Sequence, residues 1–169
     1  MKNMMTTAIR NITSDDFPSI LALNAESVGF LSPLDAARLQ HLHAQATYHR
    51  GIAQQGRIVA FLLAFRENAD YDSANYRWFA QRYTRFVYID RVVVDRAQQG
   101  LGFGAALYDD ILGFAANAGV TQLTCEFDIE PPNPASLKFH QRYGFHEVGT
   151  HWLGGNKKRV SLQVREIEA

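Results

Sequence analysis

Between a β-branched run and a helical pattern, the chain places three glycines on alternate positions: YIDRVVVD is followed by RAQQGLGFGAALYDDILGFA. An apolar strand that gives way within a few residues to 3.6-residue periodicity defines a β-to-α turn, and Leu107, Ile111, Leu112 and Ala115 mark the buried face of the helix that follows. The first N–H groups of a helix have no partner inside it, and the macrodipole is positive there. Glycines at such a mouth therefore favour an anion, above all a phosphate that must come close to the main chain.

Three phosphate-binding designs compete for this segment. The P-loop requires Gly-x-x-x-x-Gly-Lys-Ser/Thr, and no Lys-Ser/Thr follows. A dinucleotide fingerprint is matched in form by Gly100, Gly102 and Ala105, with Glu126 about 20 residues on, where a ribose-binding acid could stand. However, Asp95 to Gln99 separate the strand from Gly100, and too few βα units flank the match to build that domain. The third design, Gln/Arg-x-x-Gly-x-Gly/Ala, is met by Gln99, Gly102 and Gly104. With the strand before it, the helix after it and NPASLKFHQRYGF later, the chain resembles the GNAT superfamily of acyl-CoA-dependent N-acyltransferases. The resemblance is firm over Phe86 to Val148, where Asn133, Ser136, Gly144 and Phe145 keep the family's distances, and it holds in outline over the N-terminal strand and two helices. The stretch CEFDIEPPNPASLKFH is similar to a bacterial subgroup of predicted acetyltransferases.

The resemblance implies acetyl-CoA as cosubstrate. It implies that the backbone amides of Gly100, Leu101, Gly102, Phe103, Gly104 and Ala105 hold the CoA pyrophosphate, with Gln99 shaping the loop. Val92, Val93 and Val94 offer main-chain groups to the pantetheine arm, in a splay between their strand and the one around Cys125, and Asn133 meets the arm near its far end; Ser136 and His140 join this cofactor set. The thioester carbonyl is polarised by the N–H of Val92 or Val93, and relatives are often dimers.

Acyl transfer to an amine needs a neutral nucleophile, a stabilised oxyanion and a proton for the departing thiolate. The family's frequent tyrosine acid, seven residues after the motif asparagine, is replaced here by His140, and Tyr143 lies one helical turn on. The acid is thus His140, Tyr143 or water. For the base, Asp90 and Glu126 stand on the two strands expected to flank the thioester, with Asp128 or Glu130 acting through water. By alternation, Asp90 shares a sheet face with Val92 and Val94, opposite Arg91 and Val93. A salt bridge from Asp90 to a nearby arginine is the competing account. Asn24, Glu26, Ser32, Tyr76, Trp78 and Phe79 are candidates for the acceptor pocket or, alternatively, for core and lid packing.

Composition narrows the partners. Lysines and arginines balance acids at 17 each in 169 residues, so the basic stripe that nucleic-acid binding demands is not indicated. The single cysteine excludes an internal disulfide framework and fits a reducing compartment. The histidines show no ligand spacing, and no metal is expected. No signal-like or membrane-length apolar stretch appears, and a cytoplasmic protein is expected.

One domain over residues 1–169 is expected, with an α/β (α+β) fold: a mixed, mostly antiparallel sheet of about seven strands with helices on both faces. Its predicted elements begin with a strand over 7–11, a helix capped by Thr13-Ser14-Asp15-Asp16 and a helix opening at Ser32-Pro33. Strands over 48–53 and 57–66 follow, then an aromatic functional loop over 67–82, the strand to Val94 and a helix over 102–117. A strand over 120–127, a helix after Asn133 and a hairpin of 146–153 with 159–167 complete the chain. The leading functional expectation is an acetyl-CoA-dependent N-acetyltransferase acting on a small-molecule or protein amine. The competing class is a non-catalytic acyl-CoA sensor, and a nucleotide-dependent oxidoreductase is the distant third.

Overall fold

A computed structural model describes residues 8–27 and 31–168. It is an α/β structure with five α-helices and a seven-stranded, mostly antiparallel sheet, whose hydrogen-bonded order is β1-β2-β3-β4-β5-β7-β6. The chain divides into two compact units, Met1–Ala64 with Arg91–Ile111 and Phe65–Asp90 with Leu112–Ala169.

In the first unit, β1 (Ile9–Asn11) leads into a 3-10 turn and α1 (Phe17–Glu26). Asp16 anchors this entry. Both its oxygens accept from Arg10 (2.7 and 2.8 Å) and Thr13 N donates to it (2.9 Å), which holds its carboxyl down to about 2. The expected strand start at Thr7 lies outside the described residues. Helix α2 (Ala36–Gln45) begins later than Ser32-Pro33 suggested, because Asp35 is the working cap: its Oδ1 accepts from Arg38 N at 2.7 Å. A side chain that satisfies an orphan N–H outweighs the proline's preset φ.

Strands β2 (Tyr48–Gln54) and β3 (Arg57–Arg66) form a hairpin across Gln55 and Gly56, both at positive φ (51° and 74°), as a two-residue type I′ connection requires. Gly51 is required by packing, since a Cβ there would lie 2.7 Å from Ala60 O. Ile12, Ile20, Leu23, Leu39, Ile58, Phe61 and Val93 form one core cluster. Beside it, His43 and His49 meet Nδ1 to Nδ1 at 2.8 Å; His49 is buried with its Nε2 unpartnered, and burial pushes its pKa down to about 3. Tyr48 Oη (2.7 Å) and Arg50 Nη1 (2.9 Å) both donate to Asp110, tying β2 to α4 (Phe103–Asn117).

The second unit corrects the reading of the aromatic insertion and one strand boundary. The insertion at 67–82 contains a helix, α3 (Ala74–Ala80), capped by Ser73 Oγ on Tyr76 N at 3.3 Å. Tyr76 and Phe79, three residues apart on one face, are buried against Tyr88, with ring centroids 5.7 and 5.8 Å away. The helix is too short for a periodicity to stand out in sequence. Strand β4 (Phe86–Val94) pairs in parallel with β5 (Gln122–Glu130) from Phe86↔Gln122 to Tyr88↔Thr124. Helix α5 (Pro134–Arg142) is capped by Asn133, and β6 (His146–Leu153) and β7 (Lys158–Glu166) close the sheet as a hairpin. Strand β5 begins at Gln122, later than the expected Val120, because Gly119 ends α4 in the left-handed region (φ 69°) and Val120 serves as a buried link.

Candidate active site

The chain leaves β4 through Asp95, whose N–H donates to Val59 O (2.8 Å) and whose carboxylate accepts from Ala97 N (3.0 Å). A 3-10 turn then carries it to Gln99 and the glycines. Gly100 and Gly102 lie at φ 81° and 83°, in the left-handed region open to glycine and strained for other residues. Gly104 differs, for it is already inside α4 with no positive φ, and a Cβ there would meet nothing within 4 Å. Alanine would stabilise that helix position by about 1 kcal/mol, so the fold alone does not account for the glycine. The helical ladder starts where Ala106 N donates to Gly102 O at 2.9 Å, and the amides of Phe103 and Gly104 stand ahead of that first rung. Leu101 projects outward, 63% exposed. Unpaired backbone donors at a helix entrance suit an anion. Val92 and Val94 are half-buried and Val93 is buried in the core, the alternation expected of β4.

In the second unit, side chains from four elements gather round a carboxylate. Tyr88 is fully buried, and its Oη donates to Glu126 Oε2 at 2.7 Å, with Oε1 at 2.9 Å. Asp90, two residues along β4, accepts from the hydroxyl of buried Tyr71 at 2.6 Å. The side chain of Asn75 on α3 bears on the Glu126 carboxyl and favours its charged form, and its Oδ1 is met by His151 Nε2 from β6. Loss of hydration pushes the Glu126 carboxyl up to about 8; Asp90 and Asp128 push the same way, while the Tyr88 hydroxyl and the Asn75 side chain oppose them. Asp128 is paired with Lys158 (3.1 Å) and Glu130 with Arg159 (3.4 Å).

The remaining expected residues take definite places. His140 is buried among rings, 5.3 Å from both Phe127 and Phe145, with its Nδ1 on Ser136 O at 2.7 Å; burial lowers its pKa and keeps it neutral. Tyr143 ends α5 against Phe139, and its carbonyl accepts from Arg165 at 2.6 Å. Asn133 Oδ1 caps α5 on Ser136 N at 3.2 Å. Asn24 and Ser32 come together in the first unit around the buried Arg91, whose Nη1 donates to Asn24 Oδ1 (2.9 Å) and Ser32 O (2.8 Å), and Glu26 O accepts from Arg96 (3.2 Å). Tyr76 donates to Arg66 O (2.7 Å), Phe79 is buried, and half-buried Trp78 carries the Arg82 guanidinium 3.7 Å above its ring. Cys125 is buried, which raises its thiol pKa.

Sequence reasoning missed Tyr88, Tyr71, Asn75, His151 and Arg91. The period of two that links Tyr88 to Asp90 could have revealed the first; nothing local marks the others. Among the described residues, no group of three or more metal-ligating side chains gathers, and no helix is long and apolar enough to cross a membrane.

Comparison with known proteins agrees with this architecture. The Acetyltransferase (GNAT) family matches residues 6–145. No curated protein matches the chain. Among solved structures, Ard1 from Thermoplasma volcanium superposes with a TM-score of 0.79 at 17% identity, covering 98% of this chain and 100% of that one. The ribosomal-protein-S18-alanine N-acetyltransferase from Escherichia coli does so with 0.71 at 15% identity, over 97% and 96%. A GNAT superfamily phosphinothricin acetyltransferase from Sinorhizobium meliloti, solved with AcCoA, gives 0.71 at 19% identity, over 96% and 89%. With a family match running over most of its length, the chain belongs to the GNAT acetyltransferase family.

Proposed function

We propose that this protein, acting as one domain over residues 1–169, transfers an acetyl group from acetyl-CoA to a primary amine of a small molecule or protein, with Glu126 accepting the amine's proton. The observation that carries the reading is the Glu126 carboxylate bonded by the fully buried Tyr88 hydroxyl at 2.7 Å, with Asp90 two residues from that tyrosine on β4; loss of hydration there pushes the Glu126 carboxyl up to about 8. Primary amines arrive as ammonium ions near neutral pH. A base works best when its pKa lies near the working pH, and the neighbouring Asp90 carboxylate attracts the cation.

The helix entrance suits the acyl donor for an independent reason, since Gly104 leaves open the space a side chain would fill. Amides of residues 100–105 hold the pyrophosphate, Gln99 shapes the turn, and main-chain groups of Val92, Val93 and Val94 carry the pantetheine arm. Bound acetyl-CoA supplies an acyl group already activated as a thioester. Asp90 draws in the ammonium, Glu126 takes its proton directly or through water, and the N–H of Val92 or Val93 faces the developing negative charge. His140, neutral and with Nδ1 engaged on Ser136 O, is a poor proton donor, which leaves Tyr143 or water to return a proton at sulfur.

The test is CoA release from acetyl-CoA with a panel of amines: a polyamine, an arylalkylamine, free amino acids and a peptide with a free N-terminal alanine. The expected result is amine-dependent CoA release for at least one class, with a rate that rises as pH approaches about 8. Tight acetyl-CoA binding without release by any amine would replace the reading with a sensor.

A further inference from the structure

We propose that Tyr71 is a positioning residue for the acceptor amine: its hydroxyl holds the Asp90 carboxylate in one orientation, and the aromatic insertion over 67–82 is built to hold that hydroxyl. The inference rests on the reading of Asp90 as the group that draws in the ammonium.

Tyr71 Oη donates to Asp90 Oδ1 at 2.6 Å. The tyrosine is buried, whereas Asp90 is half-buried on β4 and still meets solvent, where an ammonium can reach it. An aspartate side chain turns about two bonds, and a hydrogen bond from a fixed donor to its charged group removes that freedom. Less ordering is then left to the moment of binding. A phenol also holds a carboxylate without cancelling its charge, while a guanidinium in its place would offset the charge and repel the arriving cation. The same device serves the neighbouring acid, for buried Tyr88 donates to Glu126 at 2.7 Å.

The insertion fixes Tyr71 from several sides. Its ring packs on Phe65 at 4.7 Å and on Tyr76 at 5.7 Å between centroids, and its N–H donates to Ala69 O at 3.0 Å. Tyr76 closes the turn that leads to it, donating to Arg66 O (2.7 Å) and accepting from Ala69 N (3.0 Å). Glu67 ties the same turn to β4 by accepting from Phe86 N at 3.2 Å. Helix α3, which carries Tyr76, is in turn held on β6. A Cβ at Gly149 would lie 2.6 Å from Trp78 Cζ2, so the indole rests directly on the strand backbone, and that approach brings Asn75 Oδ1 to His151 Nε2.

The test is steady-state kinetics of Tyr71→Phe, which keeps the ring and removes the hydroxyl. The acceptor is the fastest amine among a polyamine, an arylalkylamine, free amino acids and a peptide with N-terminal alanine. The KM for the amine should rise about tenfold, as the loss of one hydrogen bond to a charged group predicts, while kcat and the KM for acetyl-CoA stay at wild-type values. In Asp90→Asn, where the charge is gone, adding Tyr71→Phe should raise the amine KM no further. A merely structural hydroxyl would give neither the split nor this dependence on Asp90. Should Tyr71→Phe fail to fold, Tyr76→Phe decides, since loosening the turn that carries Tyr71 should raise the amine KM with kcat held. An unchanged amine KM, or an equal rise in the Asp90→Asn background, would overturn the positioning role and leave acetyl transfer standing. A wild type that releases CoA with no amine would reject the functional reading and this role with it.

Discussion

The helix entrance at residues 99–105 and the carboxylate cluster around Glu126 are made of opposite materials. The entrance uses main chain: glycines at φ 81° and 83° and a third glycine with open space beside it, all within one short run. The cluster uses side chains from α3, β4, β5 and β6, separated by as many as 76 positions between Asn75 and His151. An anion site built from backbone must be contiguous, because consecutive N–H groups have to point one way. A proton-transfer site needs a low-dielectric setting with several partners, which only sheet register and helix packing bring together. The two regions should accordingly fail in different ways.

The largest expected effect is at the side-chain site. Glu126→Gln should lower the rate of amine-dependent CoA release by about 10²–10⁴-fold at pH 8 while leaving acetyl-CoA affinity near that of the wild type. Steady-state kinetics beside calorimetry would check this, and parallel losses of rate and affinity would erase the distinction between the regions. The same change should stabilise the fold. The folded-state pKa of Glu126 lies above its ordinary value, so the folded protein binds the proton more tightly, and stability falls as pH rises from about 4.5 to about 8. Glutamine escapes that loss, and the thermal advantage of the variant should grow through this window and level off above it.

A smaller effect of opposite sign sharpens the contrast from the first unit. His49 has a folded-state pKa lowered to about 3, so the unfolded chain binds the proton more readily, and stability is lost as pH falls below about 6.5 toward 3. The slope is at most ~1.4 kcal/mol per pH unit, and His49→Phe should flatten it in thermal melts. Because the opposing slope from Glu126 overlaps this window, the comparison is between variants: a His49→Phe melt with the same pH dependence as the wild type between 6.5 and 4 would remove this site from the account.

What could be read from the sequence follows the same division. Gly100, Gly102 and Gly104 announce their helix mouth because the signal is local, and Asp90 and Glu126 are visible because they stand on the two strands expected to flank the thioester. Helix α3 was hidden: seven residues give too few turns for a pattern, and its aromatic residues suited a lid as well as a core. Asn75 and His151 could not be found at all, since their roles depend on the Trp78–Gly149 fit, a contact between residues 71 positions apart. His140 was visible but ambiguous, because only packing shows its ring between Phe127 and Phe145.

The account's central claim is that the entrance to α4 grips the diphosphate of an acyl-CoA, and calorimetry of acetyl-CoA with Gly104→Glu tests it most directly. Since a Cβ at Gly104 points into open space, the variant should fold and melt almost as the wild type does, yet bind acetyl-CoA undetectably. Wild-type affinity in a variant that carries this carboxylate at the helix mouth would contradict it.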